Sequence, residues 1–209
     1  MVQCPVCGRT YGVTHSCTGP VATVPVWAAR WSAPAGFAPL HYFRQALEIA
    51  RLDDGAVLAA SRDNNAVFYG AIIWLVGQVL VLVGSSLTAG RSLAQLNWLA
   101  VFFGGPILLV LDASLMLAQY AVCHLLARRW FGARGSYAGL LRPLLLGSLV
   151  TWLGVIPYMG MLIVGIWGVA VMMIVFENVD EIERLKAFML SCVVGVIFLT
   201  LTRMLLAPR

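Results

Sequence analysis

Five long apolar stretches, at residues 66–86, 98–127, 139–156, 158–176 and 187–206, set the terms on which this 209-residue chain can fold. Each is close to the roughly 20 residues that a helix needs to cross a bilayer. Within lipid every backbone N–H and C=O must be satisfied inside the segment, so uninterrupted apolar runs of this length imply helices. The rest of the composition agrees. Only 11% of residues are charged, against about 25% in an ordinary soluble domain. The expected fold class is therefore an all-α polytopic membrane protein with about five transmembrane helices.

The spans are not equally plain. The second is some thirty residues long and needs tilt, a kink near Gly104, Gly105 and Pro106, or an end that emerges from the membrane. The third and fourth are separated only by Pro157 and Tyr158, which suggests either a tight hairpin or a pair of shallow segments. Pro143 fits the first turn of the third span, where a missing N–H costs little. No charged start followed by an apolar run marks a signal peptide in the first thirty residues, so the first span is expected to act as its own insertion signal.

The net charge of +5 rests almost wholly on arginines between the apolar segments. In a soluble chain it would hint at nucleic acid; here it reads as a topology signal, and no nucleic-acid partner is expected. Arg44, Arg51 and Arg62 precede span one. Arg128, Arg129, Arg134 and Arg142 surround the junction of spans two and three, and Arg184 and Lys186 lie between spans four and five. The other side holds only Arg91, Arg203 and Arg209. The N-terminus is predicted to be cytoplasmic and the C-terminus on the opposite side.

Ahead of the bilayer, residues 1–19 carry CPVCG and, within a dozen residues, HSC. A two-residue spacer lets the thiolates of Cys4 and Cys7 converge on one metal, with proline and glycine favouring the tight turn. His15 and Cys17 are two apart, so on an extended strand both point one way and would complete a Cys3His zinc set. The fourth ligand is the weak point, because a two-knuckle ribbon would end in a second CxxC. A thioredoxin-like redox motif needs a surrounding domain that twenty residues cannot supply, and an incidental cysteine tail is the remaining alternative. The favoured reading is a structural zinc cofactor in a reducing compartment.

Residues 20–39 hold Pro20, Pro25, Pro34 and Pro39 among small residues, the composition of an extended linker. Residues 40–65 form an amphipathic segment in which Leu40, Phe43, Leu47 and Ala50 recur at helical spacing, with Arg44, Glu48 and Arg51 off that face. Such a helix is predicted to lie at the membrane surface.

Inside the membrane one acid stands out, Asp112. Gln119 follows seven residues on and Cys123 four beyond that, so the three share a helix face while His124 points elsewhere. A carboxylate at that depth is a functional-site hypothesis by default. The simpler reading is interhelical glue, with the carboxyl protonated or held by an arginine or a tyrosine hydroxyl. The other spans offer mainly Gln78, Ser148, Thr151, Ser191, Thr200 and Thr202.

Gly70, Gly77 and Gly84 repeat every seven residues along span one, a smooth stripe that admits a close helix, more simply one of the same bundle. Gly160, Gly165 and Gly168 are expected to do the same in span four. Trp98, Trp130, Tyr158 and Trp74 fall near predicted span ends as interface anchors. In ENVDEIERLK, Asp180 with Arg184 and Glu183 with Lys186 have helix-surface spacing, and the loop could also pair with the arginines of RRWFGARG. No GxSxG, phosphate loop or HExxH occurs, so no motif specifies catalysis.

Three segments, FRQALEIARLDDGAVLAASRDNNAVFYGAII, GSYAGLLRPLLLGS and IERLKAF, resemble the Yip family of Rab-interacting membrane proteins, and most closely its prokaryotic members, some of which carry a short zinc-ribbon-like head. The resemblance covers residues from about 40 to 207. It implies a five-span, N-inside architecture and, for the eukaryotic relatives, a part in vesicle traffic and membrane shaping. The DLYGP motif of those relatives is absent from this chain, so the resemblance implies architecture rather than GTPase binding. The leading expectation is a non-enzymatic scaffold or adaptor, anchored in the lipid bilayer, whose zinc head meets a protein partner or a second copy of the chain. A small channel or transporter using Asp112 is the alternative, and a lipid-modifying enzyme would need polar side chains that converge at one depth.

Overall fold

A computed structural model describes residues 2–3, 10–11, 31, 34, 36–88, 104–156 and 159–206. The proposed ligands Cys4, Cys7, His15 and Cys17 lie outside the described residues, as do Arg91, Trp98, Pro157, Tyr158 and the first six residues of the second expected span. Two short strands, β1 (Val2–Gln3) and β2 (Thr10–Tyr11), pair antiparallel with Val2 opposite Tyr11 and Gln3 opposite Thr10.

The helices follow in chain order: α1 (Pro39–Ala50), α2 (Asp54–Arg62), α3 (Asn65–Thr88), α4 (Gly105–Phe131), α5 (Tyr137–Gly147), a 3₁₀ segment (Ser148–Val155), α6 (Gly160–Val179) and α7 (Arg184–Leu206). Among the described residues four stretches are long and apolar enough to cross a membrane: 65–82, 105–131, 137–155 and 162–179. The chain is thus a multi-pass, all-α membrane protein.

Local chemistry sets the helix ends. Pro39 opens α1, where its missing N–H is of no consequence. Asp53 caps α2 by accepting from the Ala56 N–H at 2.7 Å, and Asp63 accepts from the Asn65 N–H at the start of α3. Among the described residues of the long second run, α4 ends at Gly132, whose φ of 69° is the left-handed conformation a helix C-terminus favours. Arg128 and Arg129 sit in its last turn, where the helix dipole suits cations.

The third span departs furthest from expectation. It starts at Tyr137, capped by the Ser136 hydroxyl, so Pro143 falls inside α5 rather than in its first turn. From Ser148 the backbone tightens into a 3₁₀ run of eight residues, longer than the three or four usual for this geometry. At 1.5 Å per α residue and 2.0 Å per 3₁₀ residue the combined segment reaches about 32 Å, enough for a hydrocarbon core of about 30 Å.

This segment is also the middle of the bundle. It packs against α1, α2, α3 and α6, and its most apolar stretch is 56% buried against 6% for that of α4. The rest of α4 runs along α7 and touches α5 lightly, presenting Ile107, Leu108, Val110 and Leu125 outward, as a lipid-facing helix should. The glycine stripe of α3 explains the close central packing. A Cβ on Gly70 would stand 2.6 Å from the Cβ of Leu145, one on Gly84 2.8 Å from Val155, and one on Gly77 against Thr151 and Trp152. In α6 only Gly160 meets a neighbour in this way. Gly165 and Gly168 face open space, contrary to expectation.

The amphipathic segment packs on the end of the bundle, and the face it buries is not the expected one. Tyr42, Gln45, Ala46 and Ile49 of α1 are buried, whereas Leu40 of the expected apolar face is 73% exposed. The helix presses its aromatic and small side chains into the bundle: Phe43 lies 5.8 Å from Trp152, Trp167 donates to the Ala50 carbonyl, and Tyr42 stacks on Tyr69. The Tyr42 hydroxyl donates to Asp63 at 2.6 Å, and its pKa is raised, first by burial and then by that carboxylate. Arg142 of α5 donates to the Ser61 carbonyl at 2.7 Å and to Asn64. Asn178 of α6 donates to Asp54 at 2.8 Å. These bonds lock α1 and α2 onto one end of the bundle.

A candidate intramembrane chamber

Between α4 and the rest of the bundle lies a half-open cavity of about 260 Å³. Three elements contribute its polar side chains, and each does so through local geometry. In α3, Trp74 and Gln78 are four residues apart and therefore share a face. In α4, Asp112 and Gln119 are seven apart and do the same. In the 3₁₀ segment Ser148 and Thr151 are three apart, and side chains at that spacing eclipse in a helix of three residues per turn. α6 closes the floor at Gly168, whose missing side chain leaves room.

The hydroxyls are oriented. Ser148 donates its proton to the Leu145 carbonyl at 2.6 Å and Thr151 donates to the Ser148 carbonyl at 2.7 Å. With their protons committed, both present lone pairs as their remaining hydrogen-bonding capacity. Next to them the Trp152 indole N–H donates to the Ile73 carbonyl of α3 at 2.9 Å, which pins the 3₁₀ segment to the glycine stripe.

Asp112 has no hydrogen bond or ion pair with any described residue, and among the described residues no lysine, arginine or histidine lines the chamber. Of the two forms of the expected interhelical glue, a protonated carboxyl or one held by an arginine or tyrosine hydroxyl, the described residues supply no partner for the second. All eight other acids of the chain lie at the end of the bundle where the arginines cluster. The intramembrane face read from sequence is only partly realised. Asp112 and Gln119 reach the chamber, whereas Cys123 is fully buried in the packed core. Angular position is shared, but Cys123 lies about 16 Å along the axis from Asp112. Trp74, expected as an anchor at a span end, is instead a chamber residue, while Trp130 stands exposed at the end of α4.

A second polar centre lies at the basic end. His124 Nδ1 and Asp180 Oδ2 are 3.2 Å apart across 56 residues, both almost fully buried. The Asp180 carbonyl accepts from the Arg134 N–H, and its Oδ1 finds no partner. Gly135 is required here, since a Cβ would run into Asp180 and Val179. Burial pushes the Asp180 carboxyl above its ordinary value, and the His124 contact and nearby Arg128 oppose that shift. The pairing expected of Asp180 with Arg184 does not form. Arg184 binds Glu177 at 2.8 Å instead, while Lys186 meets Glu183 at 2.9 Å and Arg134 lies 4.0 Å from Glu181. The sequence gives no sign of the His124 contact, because nothing in its periodicity ties α4 to the end of α6.

Among the described residues no group of three His, Cys, Asp or Glu side chains could hold a metal. The chamber instead offers one carboxylate with carboxamide and hydroxyl oxygens, a set that accepts hydrogen bonds and balances positive charge. Comparison of the chain with protein-family models, with curated proteins and with solved structures returns no match.

Proposed function

We propose that the chain is a non-enzymatic membrane scaffold of the Yip type, with five spans, a cytoplasmic N-terminus and a C-terminus on the opposite side. Its zinc-bearing head would contact a protein partner or a second copy of the chain, in the service of membrane organisation. The observation that carries this reading is the rigid basic end, where Tyr42 with Asp63, Arg142 with Ser61 and Asn64, and Asn178 with Asp54 fuse α1 and α2 to the bundle. A proline-rich linker and a small head attached to such a base suit recognition rather than turnover. The fifth span would be α7, whose 23 residues give about 35 Å of helix. The pairing of β1 with β2 brings together the two ends of the segment that holds Cys4 and Cys7, which suits a zinc knuckle of Cys4, Cys7, His15 and Cys17.

Purification in mild detergent, with metal analysis of the same sample, tests this. The expected result is about one zinc per chain and a stoichiometric protein partner, both lost on Cys4→Ser with Cys7→Ser. Recovery of the bare, zinc-free polypeptide from both versions would end the proposal.

The chamber favours a second reading, a small channel or transporter that uses Asp112, because polar groups of three elements meet there around an unpaired carboxylate. Proteoliposome flux indifferent to Asp112→Asn would remove it.

A further inference from the structure

The geometry points to the chamber as a binding site for a small organic ammonium ion. The inference shares its site with the transport reading but concerns binding alone. Its first support is charge. Ionised, Asp112 would bring one negative charge into the bundle; among the described residues no basic side chain lines the space, and none pairs with the carboxylate. A half-buried carboxylate at membrane depth, when ionised, calls for a cation.

The second support is the character of the neutral groups. Gln78 and Gln119 carry carboxamide oxygens, and the Ser148 and Thr151 hydroxyls have spent their protons on backbone carbonyls. Acceptors therefore gather where ammonium N–H donors would lie.

Third, the remaining wall is wrong for an inorganic ion and right for a carbon-bearing one. A metal cation wants oxygen on all sides, yet much of this wall is Leu115, Met116, Val164 and Met172. Trp74, Tyr120 and Phe198 add aromatic rings, which attract alkylammonium groups through the ring quadrupole. A volume of about 260 Å³ exceeds what a bare ion fills and approaches the lower bound of small-molecule pockets, about 300 Å³.

The test is thermal unfolding of the purified full-length protein in detergent, titrated with choline, ethanolamine or tetramethylammonium chloride against sodium and potassium chloride at matched ionic strength. At least one of the three ammonium ions should raise the melting temperature saturably, and the two metal salts should not. Asp112→Asn should raise the half-saturating concentration about tenfold or more, the loss of one charge-assisted contact. Gly168→Leu keeps the carboxylate and fills a space in which a Cβ meets nothing, so it should abolish the shift in a folded protein even if Asp112→Asn does not fold. Saturable stabilisation by sodium or potassium, no saturable shift with any of the three ammonium ions, or a shift unchanged in Gly168→Leu would each overturn the inference. Ammonium binding without flux in proteoliposomes would sustain it and sink the transport reading alone.

Discussion

Two residues at the α6–α7 junction hold positions that the surrounding packing imposes on them. Glu181 has φ 55°, in the left-handed region where an L side chain crowds its own carbonyl. Its exposed contact with Arg134, at 4.0 Å, contributes little. Glu181→Gly should therefore stabilise the protein by about 0.5–1 kcal/mol, read as a higher melting temperature in detergent; a lower one would show that the ion pair outweighs the strain. Beside it, Asp180 is held out of water with one oxygen unpartnered, and its carboxyl pKa is raised above 3.8, chiefly by burial. A raised folded pKa means that the folded state binds the proton more tightly than the unfolded chain does. The associated stability is present below pH 3.8 and is lost as pH climbs through the folded value. Asp180→Asn cannot ionise, so the stability of the wild type relative to this variant should decline from pH 3.8 upward. Unfolding curves at pH 3.5, 5 and 6 would check this, and a difference that is flat or grows in favour of the wild type would refute it.

At the scale of helices, what a glycine does depends on what faces it. Gly77 of α3 abuts Thr151 and Trp152, whereas Gly165 of α6 faces open space. The same substitution should thus have opposite signs: Gly77→Ala should destabilise by about 1–3 kcal/mol through overpacking, and Gly165→Ala should stabilise by about 0.5–1 kcal/mol through helix propensity. Parallel melts of the two variants decide it, and equal effects would mean that the 3₁₀ segment does not lie on the stripe. Hydropathy located these helices well because lipid imposes one rule on every residue of a span. It could not show that the third span changes from α to 3₁₀ at Ser148, since Leu, Val and Trp on either side satisfy that rule in both geometries. Nor could periodicity choose between two faces of α1: Leu40, Phe43 and Leu47 form an apolar stripe, but the pocket left by α3, α5 and α6 takes Tyr42, Gln45 and Ile49. Half of the chamber was legible for similar reasons. A seven-residue spacing puts Asp112 and Gln119 on one face, while Gln78, Ser148 and Thr151 join them only through packing between helices.

For the whole molecule, the distribution of charge carries the argument about orientation. Ser61, Asn64 and Arg142 meet at one end of the bundle, as do Asp54 and Asn178, His124 and Asp180. The ends of α2, α4 and α6 and the starts of α3, α5 and α7 therefore lie together, and nine of the chain's 14 basic residues belong to the segments gathered there. That concentration of arginine favours the cytosolic side. If α7 crosses as well, the chain makes five passes and its termini must lie on opposite faces; if α7 turns back, they share a face. Single cysteines placed in a cysteine-free chain separate the two cases. With Arg62→Cys and Arg209→Cys as reporters, a membrane-impermeant maleimide applied to intact cells should modify position 209, and should modify position 62 only after permeabilisation. Protection of both positions in intact cells would count against a fifth crossing and leave both termini on one face.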